Sequence, residues 1–136
     1  MENPPKIKIL IIEDDLHIAA GIELNLRLQG YRTFTAADGT EGLKRWREVG
    51  PDLIVLDMIM EPGMDGLETF KQMRQIAPSQ KAIIASGYSE SERVREMQWI
   101  GAGSYVKKPY TLEKIGLAVR KELDRNNNAR STDRIS

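Results

Sequence analysis

Three short runs of the sequence are entirely apolar, at residues 9–12, 53–56 and 82–85. Strands that are buried on both faces of a parallel sheet have this composition, whereas a strand with one solvent-exposed face alternates apolar and polar side chains. We therefore expect the three runs to form the central strands of a parallel sheet. The first and third runs belong to longer predicted strands at residues 6–12 and 81–85.

Two further segments, residues 31–35 and 104–106, also have strand character. The intervening segments have helical periodicity, and the predicted helices cover residues 16–29, 39–48, 65–76, a stretch from a capping box at 89–92 to Ile100, and 112–125. Strands that alternate with helices predict βα units. Five such units most commonly form an α/β fold with a doubly wound, five-stranded parallel sheet in the order 2-1-3-4-5, the flavodoxin-like arrangement.

The length of 136 residues suits one domain. We expect it to cover residues 6–125, after a flexible leader at 1–5 and before a polar tail or linker at 126–136. Twenty basic and twenty acidic residues leave no net charge, so nothing favours nucleic acid or a membrane as a direct partner. Cysteine is absent and no apolar run is long enough to span a membrane, so we expect a cytoplasmic protein.

Polar residues follow four of the predicted strands. They are Glu13, Asp14 and Asp15 after the first, Asp57 after the third, Ser86 after the fourth and Lys108 after the fifth. The carboxyl ends of parallel strands meet at one edge of the sheet, where open α/β proteins bind ligands. Glu13, Asp14 and Asp57 should converge there and repel one another. Carboxylates without histidine or cysteine favour a hard cation, and few protein ligands favour Mg²⁺ over Ca²⁺.

Each of these residues also has a simpler explanation. Asp15 is well placed to cap the following helix, and Asp57 alone would fit a solvated loop carboxylate. Ser86 would fit a turn hydroxyl, and Lys108 would fit an ordinary surface lysine. Together, however, a hydroxyl and an ammonium group beside Asp57 are the groups that hold phosphoryl oxygens.

Five ordered motifs carry a more specific signal. They are Ile-Leu-Ile-Ile-Glu-Asp-Asp at 9–15, Leu-Asp-Met-Ile-Met at 56–60, Pro-Gly-Met-Asp-Gly at 62–66, Ala-Ser-Gly at 85–87 and Tyr-Val-Lys-Lys-Pro-Tyr at 105–110. This set resembles the signature of the bacterial response-regulator receiver family over roughly residues 6–125. The resemblance implies the receiver fold, with the sheet order given above.

The resemblance also implies roles for individual residues. Asp57 would be the phosphoacceptor. Asp14 and Asp57 would bind Mg²⁺ or Mn²⁺ directly, Glu13 would act mainly through a bound water, and the backbone carbonyl of Ile59 would complete the protein ligands. Lys108 and Ser86 would hold the phosphoryl oxygens.

In such a two-component phosphorelay, the phosphoryl group would come from the phosphohistidine of a histidine kinase or phosphotransfer domain, or from a small phosphodonor. The donor must be another molecule, because the one histidine, His17, is expected to be an exposed helical residue. Ser86 would then move toward the phosphoryl group and Tyr105 would rotate, which would reshape the face of helix 4, strand 5 and helix 5. That face would also permit a homodimer. The protein would be a switch that catalyses its own phosphorylation and slow dephosphorylation, rather than a turnover enzyme.

Two departures from the usual family pattern concern the loops. Glu61 is an extra residue between Met60 and Pro62, and it lengthens the loop after Asp57. Together with the Gly-Tyr-Ser-Glu sequence at 87–90 and the Lys-Lys-Pro-Tyr sequence at 107–110, it resembles receivers appended to hybrid sensor kinases more than free-standing chemotaxis types. Ile59 and Tyr88 are bulky where some fast-cycling relatives have polar residues that orient water. We therefore expect slow self-dephosphorylation.

Three other functions compete with that of a phosphoacceptor. A flavodoxin-like FMN protein needs a phosphate loop rich in hydroxyl and amide groups after strand one, where this chain has three acids. A haloacid-dehalogenase-type phosphatase needs its nucleophilic Asp after strand one and a second Asp two residues on, whereas Ile59 occupies that place after Asp57. The third is a pseudo-receiver, an interaction module that is not phosphorylated.

Overall fold

The computed structural model describes residues 6–57, 66–86, 92–103, 105–107 and 111–125. In these residues, strands and helices alternate along the chain. The strands are β1 (Lys8–Ile12), β2 (Arg32–Ala36), β3 (Leu53–Asp57), β4 (Lys81–Ser86) and β5 (Tyr105–Lys107). The helices are α1 (Leu16–Leu28), α2 (Gly39–Val49), α3 (Gly66–Ile76), α4 (Glu92–Trp99) and α5 (Leu112–Asp124). The predicted succession of βα units is confirmed.

The strands form one parallel sheet in the order β2-β1-β3-β4-β5. This is the predicted order, and the three apolar runs lie in the three central strands. The register pairs Ile12 of β1 with Ala36 of β2 and with Leu56 of β3. The carboxyl ends of these three strands therefore lie level with one another.

Alternate side chains of each strand point to opposite faces of the sheet, and helices cover both faces. One core layer packs α2, α3 and α4 on the sheet, and includes Leu10, Ile12, Trp46, Ile54, Phe70, Met73 and Met97. The other packs α1 and α5, and includes Ile9, Ile11, Ile22, Leu26, Leu53, Ile115 and Val119. Burial on both sides explains why residues 9–12, 53–56 and 82–85, which make up most of the central strands, are all apolar.

Three helices begin at residues whose side chains accept hydrogen bonds from main-chain N–H groups of the first turn. Asp15 caps α1, Asp38 caps α2 and Thr111 caps α5. The sequence places Asp15 where it could cap the following helix, and the structure confirms this role. Helix α2 ends at Val49, and the next residue, Gly50, has a φ of 62°, in the left-handed region that a residue without a Cβ adopts most easily.

The element boundaries differ from the predictions by one or two residues. β1 begins at Lys8 rather than at residue 6. β2 begins at Arg32, because the Tyr31 N–H still bonds to the carbonyl of Leu26 in the turn after α1. Four predicted features lie outside the described residues. They are the start of β5 at Ser104, most of the capping box before α4, the leader and the tail.

Among the described residues, no helix combines the length and the apolar character that crossing a membrane requires.

Candidate functional site

The carboxyl ends of β1 and β3 bring acidic side chains together. Glu13 directly follows Ile12, which pairs with Leu56, and Asp57 directly follows Leu56. Parallel strands that end level with one another direct the residues after them to the same edge of the sheet. The Glu13 main chain is held in place by a 3.0 Å hydrogen bond from its N–H to the carbonyl of Ala36 at the end of β2.

Glu13, Asp14 and Asp57 form a cluster in which carboxylate oxygens, one from each residue, lie within 4.8 Å of one another. Glu13 and Asp57 are only 3% and 4% exposed, whereas Asp14 is exposed. At an effective dielectric constant of 20, two unit charges at 4.8 Å repel by roughly 3.5 kcal/mol. The cluster therefore accumulates negative charge that a cation would offset.

The neighbouring acid, Asp15, belongs to the helix rather than to the cluster. Its Oδ1 accepts hydrogen bonds from the main-chain N–H groups of His17 at 2.9 Å and Ile18 at 3.1 Å. Its own N–H donates to Oε2 of Glu13 at 3.2 Å, which orients that carboxylate. His17 is exposed in the first turn of α1, as predicted.

The donor set of the cluster suits a hard divalent cation. All three side chains offer carboxylate oxygens, and the cluster includes neither histidine nor cysteine. One exposed and two buried carboxylates give an open site that leaves room for water, an arrangement that Mg²⁺ and Mn²⁺ accept. The residues present therefore fit the predicted ion.

Two further predicted site residues lie on the adjoining strands. Ser86 is the last residue of β4, and Asp57 pairs with Ala85, the residue before it. Tyr105 is the first residue of β5, pairs with Ile84, and is half-buried against the core layer of α2, α3 and α4. Ser86 in turn pairs with Lys107.

The other predicted site residues, Ile59, Tyr88 and Lys108, lie outside the described residues, as does Glu61.

Sequence reasoning missed how closely α2 approaches the strand that carries Glu13. A Cβ on Gly42 would lie 2.7 Å from Cδ1 of Ile12, so a larger residue at this position would require Ile12 or α2 to shift. A glycine in the interior of a predicted helix was the available signal, since it lowers helix stability unless packing requires it.

Comparison with known proteins agrees with this site. Residues 9–120 match the family described as the response regulator receiver domain. Sporulation initiation phosphotransferase F of Bacillus subtilis (strain 168) is 36% identical over 121 residues, which cover 89% of this chain and 97% of that protein. Transcriptional regulatory protein AfsQ1 of Streptomyces coelicolor is 38% identical over 128 residues, and the chain spans about half (56%) of its length.

Solved structures of similar proteins have the same fold. A CheY-like receiver domain from Methanospirillum hungatei JF-1 has a TM-score of 0.83 at 28% identity, over 88% of this chain and 95% of that one. Chemotaxis protein CheY4 of Vibrio cholerae has a TM-score of 0.81 at 26% identity, over 87% of this chain and 99% of that one. With its sheet order, its acidic cluster and a family match over residues 9–120, the chain belongs to the response-regulator receiver domain family.

Proposed function

We propose that Asp57 accepts a phosphoryl group and that the chain works as a phosphorylation switch in a two-component phosphorelay. The observation that carries the proposal is the position of Asp57. It ends a central strand, is almost fully buried, and lies in a cluster with Glu13 and Asp14. A carboxylate held on a rigid strand keeps one oxygen in a fixed direction, which favours attack on a phosphorus atom.

In this reaction a carboxylate oxygen of Asp57 attacks the phosphorus of a phosphohistidine. The new P–O bond forms an acyl phosphate as the P–N bond breaks, and the donor imidazole leaves with the electron pair and takes up a proton. Later attack by water on the acyl phosphate releases inorganic phosphate and restores Asp57.

Asp14 and Asp57 are the proposed direct ligands of Mg²⁺ or Mn²⁺, together with the backbone carbonyl of Ile59, and Glu13 acts mainly through a bound water. When bound, the cation offsets negative charge on the transferring phosphoryl group. The carboxylates of Glu13 and Asp14 keep anions away from Asp57 unless a cation accompanies them.

Lys108 and Ser86 are proposed to hold the phosphoryl oxygens from the side of β4 and β5. The register supports a place for both at this edge, because Ser86 pairs with Lys107, the residue directly before Lys108. An ammonium group at Lys108 would stabilise charge that develops on the phosphoryl group.

The proposed conformational change begins at Ser86 and extends to Tyr105. As Ser86 moves toward the phosphoryl group, Tyr105 rotates, and the face of α4, β5 and α5 changes shape. Tyr105 is half-buried at the start of β5 and so lies at the border of that face and the core. A homodimer through this face remains a prediction.

The proposed donor is a histidine kinase or a phosphotransfer domain. The name of the Bacillus subtilis relative, sporulation initiation phosphotransferase F, supports a place in such a relay. A cytoplasmic setting is our expectation from the cysteine-free sequence. The closer likeness to receivers of hybrid kinases also remains a prediction.

Intact-mass spectrometry after incubation with phosphoramidate and Mg²⁺ tests the proposal. We expect the protein to gain the mass of one HPO₃ group, and we expect the Asp57→Ala variant to gain none. Asp124→Ala is the matched control, because Asp124 is an exposed aspartate at the end of α5, and it should be modified like the wild type. A wild type that gains no mass would indicate a pseudo-receiver. An equal mass gain in Asp57→Ala would show that another residue accepts the phosphoryl group, which would contradict the role of Asp57.

The lifetime of the acyl phosphate is a separate part of the proposal. We expect Ile59 and Tyr88 to slow hydrolysis because bulky apolar and aromatic side chains do not orient a water for attack. Decay of the phosphorylated protein should be faster in an Ile59→Asn, Tyr88→Glu variant. Equal decay rates in the variant and the wild type would contradict this role.

A further inference from the structure

Helices α1 and α5 share an outer surface with an unusual number of exposed leucines. Leu24 and Leu28 on α1 are 60% and 79% exposed, and Leu117 on α5 is 65% exposed. Leu24 and Leu28 are four residues apart and so lie on one side of their helix. Single exposed leucines are ordinary, but a group on two packed helices is typical of a surface that another molecule covers.

The two helices are packed closely enough to make this surface continuous. A Cβ on Gly116 of α5 would lie 2.5 Å from Nε2 of Gln29 and 3.3 Å from Oδ1 of Asn25, so the backbone of α5 lies directly against α1. A shallow cavity of about 390 Å³ runs between the helices, lined by Asn25, Gln29, Glu113, Gly116, Leu117 and Arg120. Arg120 is held within its own chain by Asp124 at 2.8 Å and by the Tyr31 hydroxyl at 3.1 Å.

The charges around Leu117 are arranged so that the surface is complementary to itself. Glu113 lies four residues before Leu117 and Lys121 lies four residues after it, and both are exposed. The two charges are therefore about 6 Å from Leu117 along the helix, in opposite directions. If two copies of α5 cross in antiparallel orientation at Leu117, Glu113 of each copy faces Lys121 of the other.

We propose that this chain forms a homodimer through α1 and α5, with Leu117 of the two copies in contact on a twofold axis and two Glu113–Lys121 pairs beside them. A twofold contact requires one patch that recognises itself. The leucines of α1 extend the apolar contact on both sides of the axis, and the charged pairs set the antiparallel orientation.

The lengths of the two helices set the extent of the proposed contact. Helices α1 and α5 each contain 13 residues and are therefore roughly 20 Å long. A specific interface buries roughly 800 Å² per partner, about a tenth of the 8151 Å² of accessible surface of the chain, so the proposed dimer requires contact along the whole length of both helices.

This contact is distinct from the face of α4, β5 and α5. Glu122 on α5 lies against Gly103, at the β5 side of the helix. It is five residues after Leu117 and so lies roughly 140° around the helix from it. The proposed dimer uses neither Asp57 nor the acidic cluster, so it is expected in the unphosphorylated protein and in an Asp57→Asn variant.

Sedimentation velocity over a concentration series tests the proposal through a charge exchange. We expect a dimer whose dissociation constant rises on the order of tenfold in Glu113→Lys and in Lys121→Glu, since each change replaces two attractive pairs with two repulsive ones. The Glu113→Lys, Lys121→Glu double variant restores both pairs and should return to within about threefold of the wild type. Leu117→Gln removes the apolar centre and should leave a monomer.

Two controls separate this surface from others. Lys44→Glu reverses an exposed charge on α2 and should leave the dimer unchanged. Trp99→Ala removes an aromatic residue that is 84% exposed on α4, and it should also have no effect. Any one of three results would overturn the proposal. These are a wild type that is monomeric at every concentration, a dimer weakened by Trp99→Ala, and a double variant whose dissociation constant does not return toward that of the wild type. Circular dichroism of each variant verifies that it is folded.

Discussion

Glu13 and Asp57 follow residues that pair with each other, Ile12 on β1 and Leu56 on β3, although the two acids are 44 positions apart in the sequence. Their carboxylates, with that of Asp14, occupy one small volume at the edge of the sheet. The backbone of the sheet therefore imposes the proximity of these charges. The protein is expected to be less stable without a cation than the same fold with one carboxylate removed.

The Asp14→Asn variant tests this electrostatic cost. Without divalent cations we expect its free energy of unfolding to exceed that of the wild type by about 1 kcal/mol, because the exposed position of Asp14 screens part of the repulsion. With saturating Mg²⁺ the order should reverse, since the wild type gains more from binding. Urea unfolding in EDTA and in Mg²⁺ measures both differences. Glu48→Gln, a change at an exposed acid of α2, should show no such reversal.

The Gly42→Ala variant tests the close approach of α2 to β1. The new Cβ would lie 2.7 Å from Cδ1 and 3.2 Å from Cγ1 of Ile12, a fully buried residue that cannot move aside easily. Overpacking of this kind costs about 1–3 kcal/mol, which exceeds the gain of about 1 kcal/mol from helix propensity. We expect a net loss of about 1 kcal/mol in the free energy of unfolding, measured by urea denaturation.

Gly21→Ala is the matched control for that prediction. Gly21 lies inside α1, and its new Cβ would be 3.7 Å from Cδ2 of Leu112, an ordinary contact distance. Without a clash, the helix-propensity gain should stabilise the protein by about 0.5–1 kcal/mol. If both alanine variants change stability in the same direction, the contact with Ile12 is not the cause.

The order of the strands and the convergence of the acids could be predicted because they depend on strong local patterns. The run Ile9-Leu10-Ile11-Ile12 has no polar residue, which is typical of a strand buried on both faces. Once strands one and three are neighbours, the residues that follow them must meet. The cap at Asp15 was predictable for a similar reason, since an acid directly before a helix has few other local roles.

Contacts between distant elements could not be predicted because they depend on how helices are oriented on the sheet. The approach of Gly42 to Ile12 depends on the distance between α2 and β1, which the sequence pattern does not specify. The hydrogen bond from Trp46 to Gln80 joins residues that are 34 positions apart. A buried glutamine has no periodic signal that distinguishes it from an exposed one.

The hydrogen bond between Trp46 and Gln80 is open to a direct test. The indole N–H of Trp46 donates to Oε1 of Gln80 at 2.8 Å, and Nε2 of Gln80 donates to the Lys81 carbonyl at 3.0 Å. Both residues are buried. Gln80→Leu removes the acceptor and leaves the indole N–H buried, so we expect a loss of about 1–3 kcal/mol in the free energy of unfolding.

A double-mutant cycle with Trp46→Phe isolates the pairwise contribution. If the bond exists, the two single changes should not be additive, and the Trp46→Phe, Gln80→Leu variant should be more stable than the sum of the single losses predicts. Additive losses would show that the two side chains contribute independently.

Glu122 is a buried acid at the end of α5, 2% exposed. Its Oε2 accepts a 2.5 Å hydrogen bond from Nη2 of Arg125, and its carboxylate occupies the space that a side chain at Gly103 would need. Burial raises the pKa of Glu122 above its ordinary value of 4.5, although the hydrogen bond from Arg125 and the charges of Arg125, Lys81 and Lys121 act in the opposite direction.

The direction of that pKa shift predicts how stability depends on pH. Folded protein binds the Glu122 proton more tightly than the unfolded chain does, so this group's stabilisation is complete below about pH 4.5 and is lost as the pH rises through the raised pKa. Glu122→Gln cannot titrate. The free energy of unfolding of the variant minus that of the wild type should therefore increase from pH 4.5 toward neutrality, measured by urea denaturation across that range. Glu48→Gln at an exposed site should show a constant difference, and a constant difference for Glu122→Gln as well would contradict the raised pKa.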